Sequence, residues 1–171
     1  MRIGPHLLPY AVSRRAHGPG TPFPPTFLFI LGFLVAMWID WQHRWPIDGG
    51  PGDLAVARAV IGVGCLGLGA AVVWWGLAVL ARVRTGILLQ QPASRLVTAG
   101  PYQWTRNPQY VGFVACYFGA AVLANTLWPV VLLPGVIALL VTVVIAREER
   151  YLHGVFGTDY RDYCRRVNRW L

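Results

Sequence analysis

Four long apolar stretches, parted by short clusters of proline, glycine and charge, dominate the chain. They run from about Pro25 to Trp41, Leu54 to Val83, Tyr110 to Leu123 and Leu127 to Ala146. A helix needs roughly 20 residues to cross about 30 Å of hydrocarbon, so each stretch is read as a transmembrane helix. The third is short and is separated from the fourth only by Ala124-Asn125-Thr126. These two are expected to form a tight helical hairpin of tilted or incomplete spans. Beyond them, Tyr151, Leu152, Phe156, Tyr160, Tyr163, Val167 and Trp170 recur every three or four residues, with an interruption at Phe156-Gly157. That spacing predicts two short amphipathic helices lying on the membrane or capping the bundle. The expected fold class is therefore all-α: a polytopic integral membrane protein with a basic tail over 1–24 and one domain over 25–171.

Composition supports a bilayer as the solvent. Of 171 residues 56% are hydrophobic and only 13% charged, too apolar for an ordinary soluble domain. The formal charge of +8 comes from arginine, because the chain has no lysine. Such a surplus suits anionic lipid headgroups or nucleic acid, and the hydropathy favours lipid over nucleic acid. With the N-terminus inside, thirteen arginines in the tail, the middle loop and the C-terminal segment face the cytoplasm, and only Arg44 and Arg58 lie outside. Trp38, Trp41, Trp45 and Trp128 then fit an interfacial aromatic belt. Cys65, Cys116 and Cys164 have neither disulfide nor metal spacing and are read as packing residues. Arg14-Arg15 precede an apolar run but lack the cleavage site of a signal peptide, so the run is expected to be a retained span.

Gly62-Val63-Gly64-Cys65-Leu66-Gly67 spells a dinucleotide fingerprint, yet it falls inside an apolar helix, with neither the preceding strand nor the helix N-terminus that phosphate binding requires. Helix packing through small residues is the expected role. The middle loop, Gly100-Pro101-Tyr102-Gln103-Trp104-Thr105-Arg106-Asn107-Pro108-Gln109-Tyr110, is a better candidate for chemistry, because its prolines restrict the backbone while its polar groups crowd one place. Alternatively, Asn107-Pro108 simply caps and starts a helix. Glu148 and Glu149 are two of only seven acids, placed where the fourth span is expected to end. A helix C-terminus disfavours negative charge. The pair then either meets a cation or forms salt bridges with Arg147 and Arg150. His153 is read as solvated, and no histidine pair has metal spacing.

Two segments together resemble the isoprenylcysteine carboxyl methyltransferase and phospholipid methyltransferase superfamily, especially its short bacterial members. One is Leu96-Val97-Thr98-Ala99-Gly100-Pro101-Tyr102 with Arg106-Asn107-Pro108-Gln109-Tyr110-Val111-Gly112. The other is Glu148-Glu149-Arg150-Tyr151-Leu152 with Phe156-Gly157-Thr158-Asp159-Tyr160-Arg161-Asp162-Tyr163. The resemblance implies an enzyme of the bacterial inner membrane, with S-adenosylmethionine bound on the cytoplasmic side between segments 94–112 and 147–171. A lipophilic acceptor would enter from the bilayer. It also implies cofactor contacts from Ser94, Arg95, Leu96, Val97, Gly100, Tyr102, Asn107, Pro108, Gln109, Tyr110, Glu148, Glu149, Tyr160 and Arg169, and a catalytic role for Arg106, Asn107 and Tyr110. No metal is implied. This chain departs from the family pattern at three places. Asn107 stands where many members carry histidine. Val144 replaces the arginine that meets a substrate carboxylate in the eukaryotic carboxyl methyltransferases. Val167-Asn168-Arg169-Trp170 replaces the usual valine-proline-arginine. A sterol-reductase-like NADPH enzyme shares part of the pattern, and a non-enzymatic membrane scaffold binding anionic lipid is the rival outside enzymology.

Overall fold

Helix α1 (Pro25–Gln42) opens on a proline, whose fixed φ suits a first turn and whose missing N–H is no loss there. Helix α3 (Pro108–Leu123) opens in the same way. Between them runs α2 (Asp53–Val83), 31 residues long, and the loop into α3 contains a 3-10 turn over Gly100–Gln103. Helix α4 (Trp128–Leu139) passes without a break through a π-helical turn, Leu140–Ile145, into α5 (Ala146–Arg166). The computed structural model describes residues 23–49, 52–83 and 95–171, and no strand occurs among them. Helices α1 and α2 and the 39-residue helix Trp128–Arg166 are long and apolar enough to cross a membrane, whereas α3, at 16 residues, is a shorter apolar helix. The apolar part of the last helix ends at Ile145, and charge begins at Arg147.

One expectation needs correction. The fourth span does not stop at Ala146, so Glu148 and Glu149 stand in the first turn of α5 and not at a helix C-terminus. The unfavourable dipole argument for a cationic ligand therefore falls away. The tail is two helical pieces that meet in a kink at Gly157 (φ 53°, ψ −116°), at the interruption expected from the sequence. A positive φ favours glycine, and the break turns the second half so that Phe156, Tyr160 and Tyr163 are buried together with Leu96 and Val167 against them.

A glycine seam positions the loop. Gly62, Gly69 and Gly76 recur every seven residues along α2 and face α3, where Gly112 and Gly119 have the same spacing. A Cβ on Gly69 would lie 2.6 Å from the Gly112 carbonyl oxygen, and one on Gly119 would lie 2.7 Å from that of Gly62. Close backbone approach of this kind is what small residues permit in lipid. Of the fingerprint glycines only Gly62 takes part, since Gly64 and Gly67 meet nothing within 4 Å.

Helix α1 leans instead on α3 and α4. There Phe29, Tyr110, Tyr117, Val136, Leu140, Val144 and Ile145 form the main core. At the far end of the bundle Asp40, 3% exposed, accepts from the Thr126 hydroxyl at 2.7 Å and from Arg44 at 3.0 Å. Asn125 (φ 52°) makes the expected bend between α3 and α4, accepting from the Ile47 and Asp48 N–H groups at 3.0 and 3.1 Å. Trp45 and Trp128 stack edge to face at that end, 5.4 Å apart. All three cysteines are free thiols.

Candidate active site

The opposite end of the bundle gathers the loop before α3, the start of α5 and the C-terminal segment. Gly100 (φ 62°) turns the chain under Val79 and Trp75 of α2, and the 3-10 turn that follows buries Pro101 and Tyr102. Asn107 sits at the N-cap position of α3 but makes no side-chain cap. Its side chain reaches across instead, donating from Nδ2 to the Arg169 carbonyl at 3.0 Å. The Thr105 hydroxyl donates to the same oxygen at 3.1 Å, and the Arg106 N–H donates to the Asn168 carbonyl at 3.0 Å. The loop and the tail are thus sewn together through backbone carbonyls. Tyr163 adds a bond from its hydroxyl to the Tyr102 carbonyl at 2.7 Å.

The two adjacent acids diverge. Glu149 accepts from Nε and a terminal nitrogen of Arg169 at 3.0 and 2.6 Å, a bidentate fork, and its Oε1 also faces Arg106 at 3.1 Å. That bonding raises the Arg169 pKa above its ordinary value. Glu148 has no ion pair among the described residues. It accepts a hydrogen bond from the Tyr110 hydroxyl at 2.7 Å. Burial, helped by the neighbouring Glu149 charge and opposed by the Tyr110 bond, pushes the Glu148 carboxyl up to about 7. Beside it, Gln109 donates to the Tyr102 hydroxyl at 2.7 Å, and burial holds that phenol up at about 12.

Of the residues singled out in the sequence, Tyr102, Arg106, Asn107, Gln109, Tyr110, Glu148, Glu149, Tyr160 and Arg169 come together at this end. Pro108 begins α3, and Leu96 packs against the Phe156–Tyr160–Tyr163 cluster. Val97 is half-buried in the same loop and Arg95 is exposed. Ser94 lies outside the described residues. Tyr160 is buried with His153 against its ring at 4.7 Å, and burial raises its pKa. Three participants were not among the residues named for the site: Thr105, Tyr163, and Cys164, whose sulfur lies 2.8 Å from an Arg106 nitrogen. Tyr163 carried a signal, being one step after Tyr160 in the amphipathic repeat. Thr105 carried only its place in the polar loop, and Cys164 carried none.

The chain is thus a helical bundle with apolar spans and, at one end, a polar cluster built from a loop and a distant tail. Residues 57–159 match the family model described as phospholipid methyltransferase, which is more than half of the chain, and the protein belongs to that family. No curated protein and no solved structure matches it.

Proposed function

We propose that this protein transfers a methyl group from S-adenosylmethionine to a lipophilic or amphipathic acceptor that enters from the bilayer, with the cofactor held between the middle loop and α5. The observation that carries this reading is Glu148: a carboxylate at the edge of the apolar bundle, fixed by Tyr110 and, among the described residues, without an arginine partner while its neighbour Glu149 has two. Such a group suits a ligand that brings positive charge or hydroxyls, and the buried rings of Tyr102 and Tyr110 lie beside it. The donor set fits the cofactor on these grounds. When bound, the cofactor supplies the electrophilic methyl group.

The chain's own residues then have distinct tasks. Glu148 faces the ligand's cation or its hydroxyls, and Tyr110 fixes the carboxyl's rotamer. Tyr102, held by Gln109 and, through its carbonyl, by Tyr163, forms a rigid wall. Glu149, Arg106 and Arg169 clamp the tail over the loop, while Thr105 and Asn107 pin the Arg169 carbonyl. This closure excludes water and orients the acceptor, the main requirements of an in-line displacement. Val144 is buried and apolar, so an acceptor carboxylate has no arginine at that position.

Calorimetry of the detergent-purified protein with S-adenosylmethionine and S-adenosylhomocysteine tests the reading. Micromolar binding that is lost in Glu148→Ala and Tyr102→Ala variants is expected. No binding in a folded parent sample would overturn it.

A further inference from the structure

The helix that carries both acids is not regular. Helix α4 keeps α-helical bonding as far as Leu140, whose N–H donates to the Val136 carbonyl four residues back. Through Leu140–Ile145 the turn widens, and the Ala146 N–H donates five residues back, to the Val141 carbonyl. A π-helical turn of this kind takes up about one extra residue without ending the helix. At its entry the Thr142 hydroxyl donates to the Ala138 carbonyl at 2.8 Å. Such a side-chain bond into the backbone ladder loosens α-helical geometry.

The extra residue falls between the bundle core and the acids, and so it decides which way they point. Val136, Leu140 and Val144 are buried in the main core together with Tyr110. Each residue of a regular α-helix turns the side-chain direction by about 100°. Glu148 stands twelve residues after Val136, so regular geometry would point it about 120° away from that buried line. Arg147 would lie on the line instead, within about 20°, and Glu148 would take the direction that Glu149 has now. The wide turn gives back about 100°. Glu148 thereby falls in line with Val136, Leu140 and Val144 and meets the Tyr110 hydroxyl at 2.7 Å, while Glu149 turns to Arg106 and Arg169. A regular helix would set a guanidinium beside Tyr110, the wrong sign of charge for a cationic ligand.

We propose that the π-helical turn is the positioning element of this site: the one extra residue within Leu140–Ile145 is what presents Glu148, and not Arg147, beside Tyr110. That Glu148 then meets the cofactor rests on the methyltransferase reading above; the register of the helix does not.

The test shortens the helix in the full chain. Thr142 is exposed, and its deletion lets the segment close into a regular α-helix with Leu140, Val144 and Glu148 still in line. The deletion variant and the parent are compared in detergent by thermal unfolding and by calorimetry with S-adenosylhomocysteine. The variant is expected to melt at or above the parent, to bind within about twofold of it, and to keep the strengthening of binding towards pH 7 that the raised Glu148 carboxyl imposes. Glu148→Gln should weaken binding about tenfold or more in both backgrounds, the worth of a charge-assisted hydrogen bond. Glu149→Gln should lower the melting temperature in both. Deleting Val143 as well leaves the helix one residue short, turns α5 by about 100° more, and should weaken binding about tenfold or more. A single deletion that unfolds the protein or loses binding, a dependence that passes from Glu148 to Glu149, or a double deletion that binds like the parent would overturn the proposal. If the parent binds no S-adenosylhomocysteine while the thermal effect of Glu149→Gln persists in the single deletion, the register stands and the cofactor reading falls.

Discussion

Replacing Glu149 by glutamine takes away the one negative charge that faces two guanidiniums, at nearly unchanged volume. Its carboxyl is 16% exposed, as is the Arg106 side chain, while Arg169 is 38% exposed. Removing one partner of a buried pair costs about 3–5 kcal/mol, against about 1 kcal/mol or less for an exposed pair. The Arg106 contact lies towards the first limit and the Arg169 fork towards the second, so a loss of about 2–4 kcal/mol is expected. Among the described residues Arg106 would keep its Cys164 contact, its backbone bond to Asn168 and a neutral amide oxygen in place of the carboxylate, with Nε already unpartnered. Thermal unfolding in detergent should therefore show Glu149→Gln melting several degrees below the parent, and Arg169→Gln should add less in the double variant than alone, because the two share one interaction. Cofactor affinity should fall modestly, through a looser tail. Glu148→Gln should do the reverse, lowering affinity strongly with little thermal change. If Glu149→Gln abolishes cofactor binding at an unchanged melting temperature, Glu149 is a ligand and the clamp assignment is wrong.

Three further outcomes follow from the same geometry. With the Glu148 carboxyl raised to about 7 by burial, the folded chain holds an extra proton between the lower unfolded value and 7; stability falls as pH rises through that window and is flat above it. S-adenosylmethionine binding, which uses the ionised form, should strengthen as pH rises towards about 7 and then level off, and calorimetry of Glu148→Gln should show no such step. A valine at Gly69 would press its Cβ against the Gly112 carbonyl and Cys116, each 2.6 Å away, so Gly69→Val should destabilise the α2–α3 pair by about 1–3 kcal/mol in thermal unfolding, whereas Gly67→Val should not. Tyr163→Phe leaves the buried Tyr102 carbonyl unpaired and should cost about 1–3 kcal/mol by the same measurement.

The four apolar helices were legible because bilayer hydrophobicity is a local property of each segment, and their ends agree with the chain's prolines and polar clusters to within a residue or two. What failed was the end of the fourth. Hydropathy stops at Ala146, but a helix continues as long as its backbone bonds do, and nothing from Arg147 to Phe156 breaks them. The π-helical turn at Leu140–Ile145 was equally hidden, since Leu, Val, Thr and Ile there carry no mark of it. The glycine fingerprint lies inside α2, as expected, yet its three glycines do not share a packing role. Gly62, Gly69 and Gly76, seven apart, stay on the face that meets α3, whereas Gly64 and Gly67 fall off it.

The site shows the same limit in sharper form. Resemblance picked out both halves, loop and tail, but a linear motif treats Glu148 and Glu149 alike. One hundred degrees of helix separates adjacent residues, and that rotation turns one acid towards Tyr110 and the other towards Arg106 and Arg169. Which acid is neutralised depends on where residues forty positions upstream and twenty downstream arrive in space. The bonds that bring them there run mostly to backbone carbonyls, at Asn168, Arg169 and Tyr102, which have no side-chain signature at all. Asn107 illustrates the consequence: local rules make it a helix cap, while the fold spends its amide on the tail. The loss of the cap is tolerable because the Tyr110 N–H, a donor that such a cap would serve, already donates to the Asn107 carbonyl at 3.0 Å. An Asn107→Ala change should accordingly loosen the tail and leave α3 intact.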